Sequence, residues 1–170
     1  MFNKVLKNVL AFAGAAAILF SMGATASAST QDASVYAKFC KDGKGSSTIS
    51  MMQKVVDGPC EITNLGNGTS QVVIPVTEFS HSMGIFSGDG KLTALVIGDE
   101  TYEVTDYSDT DNDGYEEAEV SILVPTAKID TTENTFTDVT AEYEITLGSA
   151  PLDMSSEADL YFSNSLAVYE

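Results

Sequence analysis

Two stretches of this chain alternate apolar and polar residues with a period of two, and that pattern limits the fold more than any other feature. In 117–124 the apolar positions are Ala118, Val120, Ile122 and Val124, separated by Glu117, Glu119 and Ser121; in 140–147 they are Ala141, Tyr143, Ile145 and Leu147. Side chains of a strand point alternately to its two faces, so each stretch reads as a strand with one face buried and one in water. The segments 34–40, 60–65, 70–79, 91–97, 101–107, 136–147 and 158–169 are rich in Val, Ile, Thr, Tyr and Phe and read the same way. Turn signals separate them: Gly66-Asn67-Gly68, Gly88-Asp89-Gly90, Gly98-Asp99, Asn112-Asp113-Gly114 and Ser149-Ala150-Pro151. About eight short strands without alternating helices predict an all-β fold, an antiparallel β-sandwich. One exception is 46–56, where Ile49, Met52, Val55 and Val56 fall at helical spacing after Ser46 and Ser47 and before Asp57-Gly58-Pro59, so one short N-terminal helix is expected there.

The first 28 residues are set aside from the fold. Lys4 and Lys7 precede an apolar run ending near Phe20, and Ala24, Ala26 and Ala28 supply small residues at a cleavage site. This is the pattern of a secretory signal peptide; the apolar run is shorter than the roughly 20 residues a spanning helix needs. The expected organisation is therefore a signal peptide at 1–28 and a single secreted domain at 29–170, extracellular, periplasmic or at the cell surface. Losing Lys4 and Lys7 takes the formal charge from −17 to −19. Every basic residue is a lysine, and after Glu61 only Lys91 and Lys128 are basic. Phosphate recognition needs clustered basic residues, so the charge excludes a nucleic-acid partner, and it disfavours anionic membranes once the leader is gone.

Cys40 and Cys60 are the only cysteines. In an exported chain they are expected to form a disulfide, closing a loop around the short helix with roughly 3 kcal/mol of stabilisation. The segment 109–119 carries the chemistry. Asp109, Asp111 and Asp113, followed by Gly114, have the D-x-D-x-D-G spacing that opens an EF-hand-type calcium loop. Alternate carboxylates wrap one side of a hard cation, the glycine permits a sharp turn, and Tyr115 falls where a main-chain carbonyl would ligate. The resemblance ends after about nine residues: position 12 of the loop is Val120 instead of a glutamate, and the flanks read as strands. Glu117 and Glu119 share one face of the outgoing strand, and either would complete the shell, with Asp106 on the incoming strand as a further candidate. The metal expectation is thus Ca2+ at Asp109, Asp111, Asp113, Tyr115, Glu117 and Glu119.

Other combinations carry less. Ser80-His81-Ser82 holds the single histidine with no orienting acid beside it, and zinc chemistry lacks ligands. Without a Trp for a sugar platform and with no catalytic constellation, the chain is not expected to be an enzyme. Asn67-Gly68-Thr69 matches the N-glycosylation sequon and falls in a turn. The terminal stretch 158–169 reads as a closing strand or one exchanged with a second subunit. The functional expectation is a secreted calcium-binding structural or adhesive protein, a subunit of a filament, surface layer or matrix at the cell surface, self-assembling through β-strand pairing. The alternative is a calcium-dependent carbohydrate-binding module, in which Tyr102, Tyr107 and Tyr115 would contact a polysaccharide.

Overall fold

The computed structural model describes residues 34–83, 86–129, 135–147 and 150–169; the expected leader at 1–28 lies outside them. In chain order the strands are β1 (Tyr36–Lys41), β2 (Glu61–Asn64), β3 (Thr69–Thr77), β4 (Phe79–Met83), β5 (Phe86–Ile97), β6 (Glu100–Glu103), β7 (Thr105–Ser108), β8 (Glu117–Pro125), β9 (Thr135–Leu147) and β10 (Ala150–Ser163). They form two antiparallel sheets. One runs β1-β10-β9-β5-β4, with β6 also paired to β5, and the other runs β2-β3-β8-β7. The all-β expectation is met.

Alternation places the core. Ser70, Val72, Ile74 and Val76 of β3 are buried, as are Val120, Ile122 and Val124 of β8 and Ala141, Tyr143 and Ile145 of β9. The apolar members of this set join Leu92, Leu95, Leu160 and Phe162 in one hydrophobic cluster drawn from both sheets.

Two expected strands prove to be pairs that change sheets. The stretch 70–79 breaks at Glu78, whose N–H donates to the Glu116 carbonyl, so β3 belongs to one sheet and β4 to the other. The stretch 101–107 breaks at Val104, whose N–H donates to the Thr93 carbonyl, separating β6 from β7. Gly88-Asp89-Gly90 is not a turn: the three residues lie in β5, opposite His81, Ser80 and Phe79. Gly90 is required there because the Phe79 ring lies where its Cβ would be, 2.6 Å from the ideal position. At the C-terminus, β10 ends at Ser163 and lies between β1 and β9, inside its sheet and not at an edge.

The expected helix is a single 3-10 turn, Met51–Val55, capped by Ser50 and not by Ser46 or Ser47; the Ser50 hydroxyl accepts the Met52 N–H. Its Gln53 is buried and acts as a surrogate strand for β1. Its Oε1 accepts the Phe39 N–H at 2.8 Å, and its Nε2 donates to the Ala37 carbonyl at 3.2 Å.

The same segment rules out the expected disulfide: Cys40 and Cys60 are both free thiols. Cys60 bridges to Val35, whereas Cys40 bridges to Ile49 five residues further along extended chain. That offset is roughly 16 Å of strand rise, and a disulfide tolerates at most about 7 Å between Cα atoms. Burial raises both thiol pKa values. For Cys40 a nearby Lys38 opposes and Asp159 reinforces the rise; Cys60 reaches about 12 despite a hydrogen bond with the Ala37 backbone.

Candidate functional site: the acidic loop

The loop joining β7 to β8 is built by its own carboxylates. Asp111 Oδ1 accepts the Asp113 N–H at 3.0 Å and Asp113 Oδ1 accepts the Tyr115 N–H at 2.8 Å. Asp109 Oδ2 accepts the Gly114 N–H at 3.3 Å. Glu117 Oε2 closes the loop from the outgoing strand, taking both the N–H and the hydroxyl of Thr110, at 2.9 and 2.7 Å. Positive φ at Asn112 (63°) and Gly114 (94°) turns the backbone inward, conformations that Asn and Gly adopt at least cost.

Carboxylate oxygens of Asp109, Asp111, Asp113 and Glu117 consequently lie within 4.8 Å of one another. Four of the six expected residues therefore come together. Tyr115 is exposed and joins the loop through its backbone, while Glu119 faces solvent on β8, opposite Pro75 and Thr105, outside the group. The bonds from Thr110 hold the Glu117 carboxyl below its ordinary range.

Asp57 was not foreseen. The Val56–Val76 bridge carries it to this end of the sheet from well upstream in the chain. Its pKa is raised, first by burial and then by the fields of Glu117, Asp111 and Asp113. No local sequence pattern signals it, because the contact depends on how the 3-10 segment docks on β3.

Beneath the loop, Lys91 of β5 lies 3.1 Å from Glu78 and also contacts Glu116, with its ammonium 5.1 Å from the Tyr107 ring centroid. Glu78 Oε2 in turn accepts the Glu116 N–H at 3.0 Å. This cluster ties the β3–β4 crossover to the residue preceding Glu117. Burial lowers the Lys91 pKa, but hydrogen bonds to Glu116 and Glu78 outweigh it, and the net shift is upward.

Tyr107 donates to the Leu92 carbonyl at 3.0 Å and Tyr102 to the Leu123 carbonyl at 3.3 Å, so both hydroxyls are engaged in fastening strands. His81 lies in β4 with its backbone opposite Gly88. Among the described residues no helix is long and apolar enough to cross a membrane.

No protein-family model matches the chain, and no curated protein matches it. The solved structures that resemble it in outline include two of one domain. One is a point mutant of the IsdX2 NEAT5 domain in complex with heme, at 12% identity and a TM-score of 0.49, covering 81% of this chain and 97% of that one. The other is the NEAT5 domain of IsdX2, a B. anthracis hemophore, in complex with heme, at 14% identity and a TM-score of 0.43, covering 81% and 98%. Both are described as heme complexes; the expectations of a calcium-binding structural or adhesive filament protein, of its carbohydrate-module alternative and of calcium as the cofactor are corrected, since no comparison supports any of them. The loop geometry shows that the D-x-D-x-D-G spacing is also what a self-capping turn produces, so the spacing identifies no ligand by itself. At this identity the likeness carries no ligand over to this chain.

Proposed function

We propose that the chain is exported behind the leader at 1–28, that 29–170 form one β-sandwich domain, and that this domain works by binding and not by catalysis. Its binding end is the loop of Asp109, Asp111, Asp113 and Glu117, and its partner is a positively charged protein surface. The supporting observation is the convergence of four carboxylates within 4.8 Å, held by backbone N–H groups and a threonine hydroxyl. Carboxylates clustered on an exposed loop suit charge attraction better than proton donation, and the Glu117 carboxyl is held below its ordinary range by its bonds from Thr110. The sandwich reading is supported by the shared core, in which Ile74 and Ile122 of one sheet join Leu92, Ile145 and Leu160 of the other. The outer side of β1 is already occupied by Gln53, Thr48, Ser50 and Cys60, so among the described residues this end of the sheet offers no free row of backbone groups for strand pairing with a second copy.

The test is binding of the mature domain to an immobilised lysine-rich peptide as salt is raised. A variant with Asp109→Asn, Asp111→Asn, Asp113→Asn and Glu117→Gln is compared with one carrying Glu142→Gln, Glu144→Gln, Asp153→Asn and Glu157→Gln on the exposed face of β9 and β10. Loss of binding only in the loop variant is expected. Equal losses would mean that bulk charge, and not the loop, attracts the peptide.

A further inference from the structure

The turn between β2 and β3 presents a group that the binding reading does not use. Asn67-Gly68-Thr69 is an N-x-T sequon, and Asn67 is exposed at the tip of the turn. The turn is closed by three hydrogen bonds: Leu65 N–H to the Thr69 carbonyl at 3.0 Å, Gly66 N–H to Asn64 Oδ1 at 2.8 Å, and Thr69 N–H to Asn67 Oδ1 at 3.0 Å. A fourth, from the Thr126 N–H to the Gly68 carbonyl at 2.9 Å, fixes the turn to the end of β8. The Asn67 side chain is therefore held by its oxygen, and its Nδ2 has no partner among the described residues. Space around the tip is open: a Cβ built on Gly66 or on Gly68 would find nothing within 4 Å.

We infer that Asn67 is an acceptor for N-linked glycan, added as the chain is exported. The inference rests on the export reading above. In the reaction, Asn67 Nδ2 attacks the anomeric carbon of an oligosaccharide carried on a polyprenyl pyrophosphate. The new bond is C–N, the sugar–pyrophosphate C–O bond breaks, the polyprenyl pyrophosphate leaves with the electron pair, and the amide proton passes to the transferase. No electron is exchanged. The folded domain accepts the product because Asn67 points away from the core and a glycan there would displace no packed atom.

The experiment is translation of the full chain in the presence of microsomes containing oligosaccharyltransferase and its lipid-linked donor. Protease protection and leader cleavage report export, and sensitivity of a slower-migrating band to endoglycosidase reports the glycan. The expected result is one protected, cleaved and endoglycosidase-sensitive species. Asn67→Gln or Thr69→Ala abolishes it, and Thr69→Ser restores it by returning the hydroxyl. A protected, cleaved chain without the shift overturns the site while leaving export intact, and a shift that survives Asn67→Gln also overturns it. A chain that stays unprotected and uncleaved overturns the export reading, and the inference with it.

Discussion

Gly90→Ala should destabilise the domain, although backbone considerations alone argue the opposite. Gly90 has ordinary strand geometry, opposite Phe79, and replacing a strand glycine by alanine gains about 0.5–1 kcal/mol by restricting the unfolded chain. Against that gain, the new Cβ would stand 2.6 Å from Phe79 Cζ and 2.7 Å from Cε1, so the ring must withdraw by roughly 0.8 Å to reach ordinary contact. The ring has little room to do so. Phe79 is 5% exposed and packs edge-on against Tyr143, centroids 5.8 Å apart and planes at 72°. Overpacking of this kind costs about 1–3 kcal/mol, which against that gain leaves a net loss of up to about 2.5 kcal/mol and about 1 kcal/mol at mid-range. At mid-range the melting temperature should fall by roughly 3–5 °C for a chain of this size. Circular dichroism of residues 29–170, by heat and by urea, measures it. Phe79→Leu in the same background should recover at least about 0.5 kcal/mol relative to the sum of the single changes, since the two residues touch. A Gly90→Ala protein that melts at or above the parent temperature, or strict additivity in the cycle, would refute the claim that the Phe79 ring is what demands glycine.

Gln53→Leu should cost about 2–4 kcal/mol, because it leaves both the Phe39 N–H and the Ala37 carbonyl without their buried partner; urea denaturation reads it, and a loss below about 1 kcal/mol would mean that water replaces the side chain. Both cysteines should titrate with an aromatic disulfide reagent in denaturant, whereas in the native domain half-buried Cys60 should react slowly and buried Cys40 not at all; no free thiol in denaturant would contradict the strand register. Asp57→Asn should raise the melting temperature at pH 7 in low salt. The folded state lifts the Asp57 pKa above its unfolded value of about 3.9, so the ionised carboxylate subtracts stability at neutral pH, and the penalty is relieved as pH falls through the folded value. The advantage of the variant should therefore shrink with acid, vanish below about pH 3.9 and diminish with salt; a difference independent of pH would show that the effect is not electrostatic.

The fold class was legible because period-two alternation survives directly into burial: Val120, Ile122, Val124, Ala141, Tyr143 and Ile145 are all buried. The sheet changes at Glu78 and Val104 were not, because both neighbouring strands keep β-type composition and only their partners differ. Glycine was ambiguous for a physical reason. At Gly98 and Gly114 it supplies positive φ, as a turn requires, whereas at Gly90 it makes room for a ring from the preceding strand. The disulfide failed on register: an even cysteine count in an exported chain says that pairing is chemically allowed, but Val35–Cys60 and Cys40–Ile49 pairing decides whether the sulfurs can meet. Of the candidate site, the three aspartates could be read from spacing, the strand face left Glu117 and Glu119 as alternatives of which only Glu117 joins the group, and Asp57 and the Lys91 cluster depend on long-range packing.

The acidic loop shows why carboxylate spacing alone does not identify a ligand. A carboxylate in a turn reaches the amide two residues ahead, as Asp111 does to Asp113 and Asp113 does to Tyr115. Aspartates at alternate positions therefore arise wherever a turn caps itself by successive contacts of this type. A hard cation demands the same alternation, since it and a row of N–H groups both present positive charge to the inside of a curved chain. What separates the cases is the distribution of remaining charge. Lys91 lies beneath the loop, but it is engaged with Glu78 and Glu116 at the crossover. The Asp57 carboxyl is pushed up first by burial and then by three of the loop acids, whereas the bonds from Thr110 push the Glu117 carboxyl down. The two carboxyls shift in opposite directions because Thr110 donates to Glu117, whereas Asp57, carried to the loop from upstream, meets burial and the loop's negative charge.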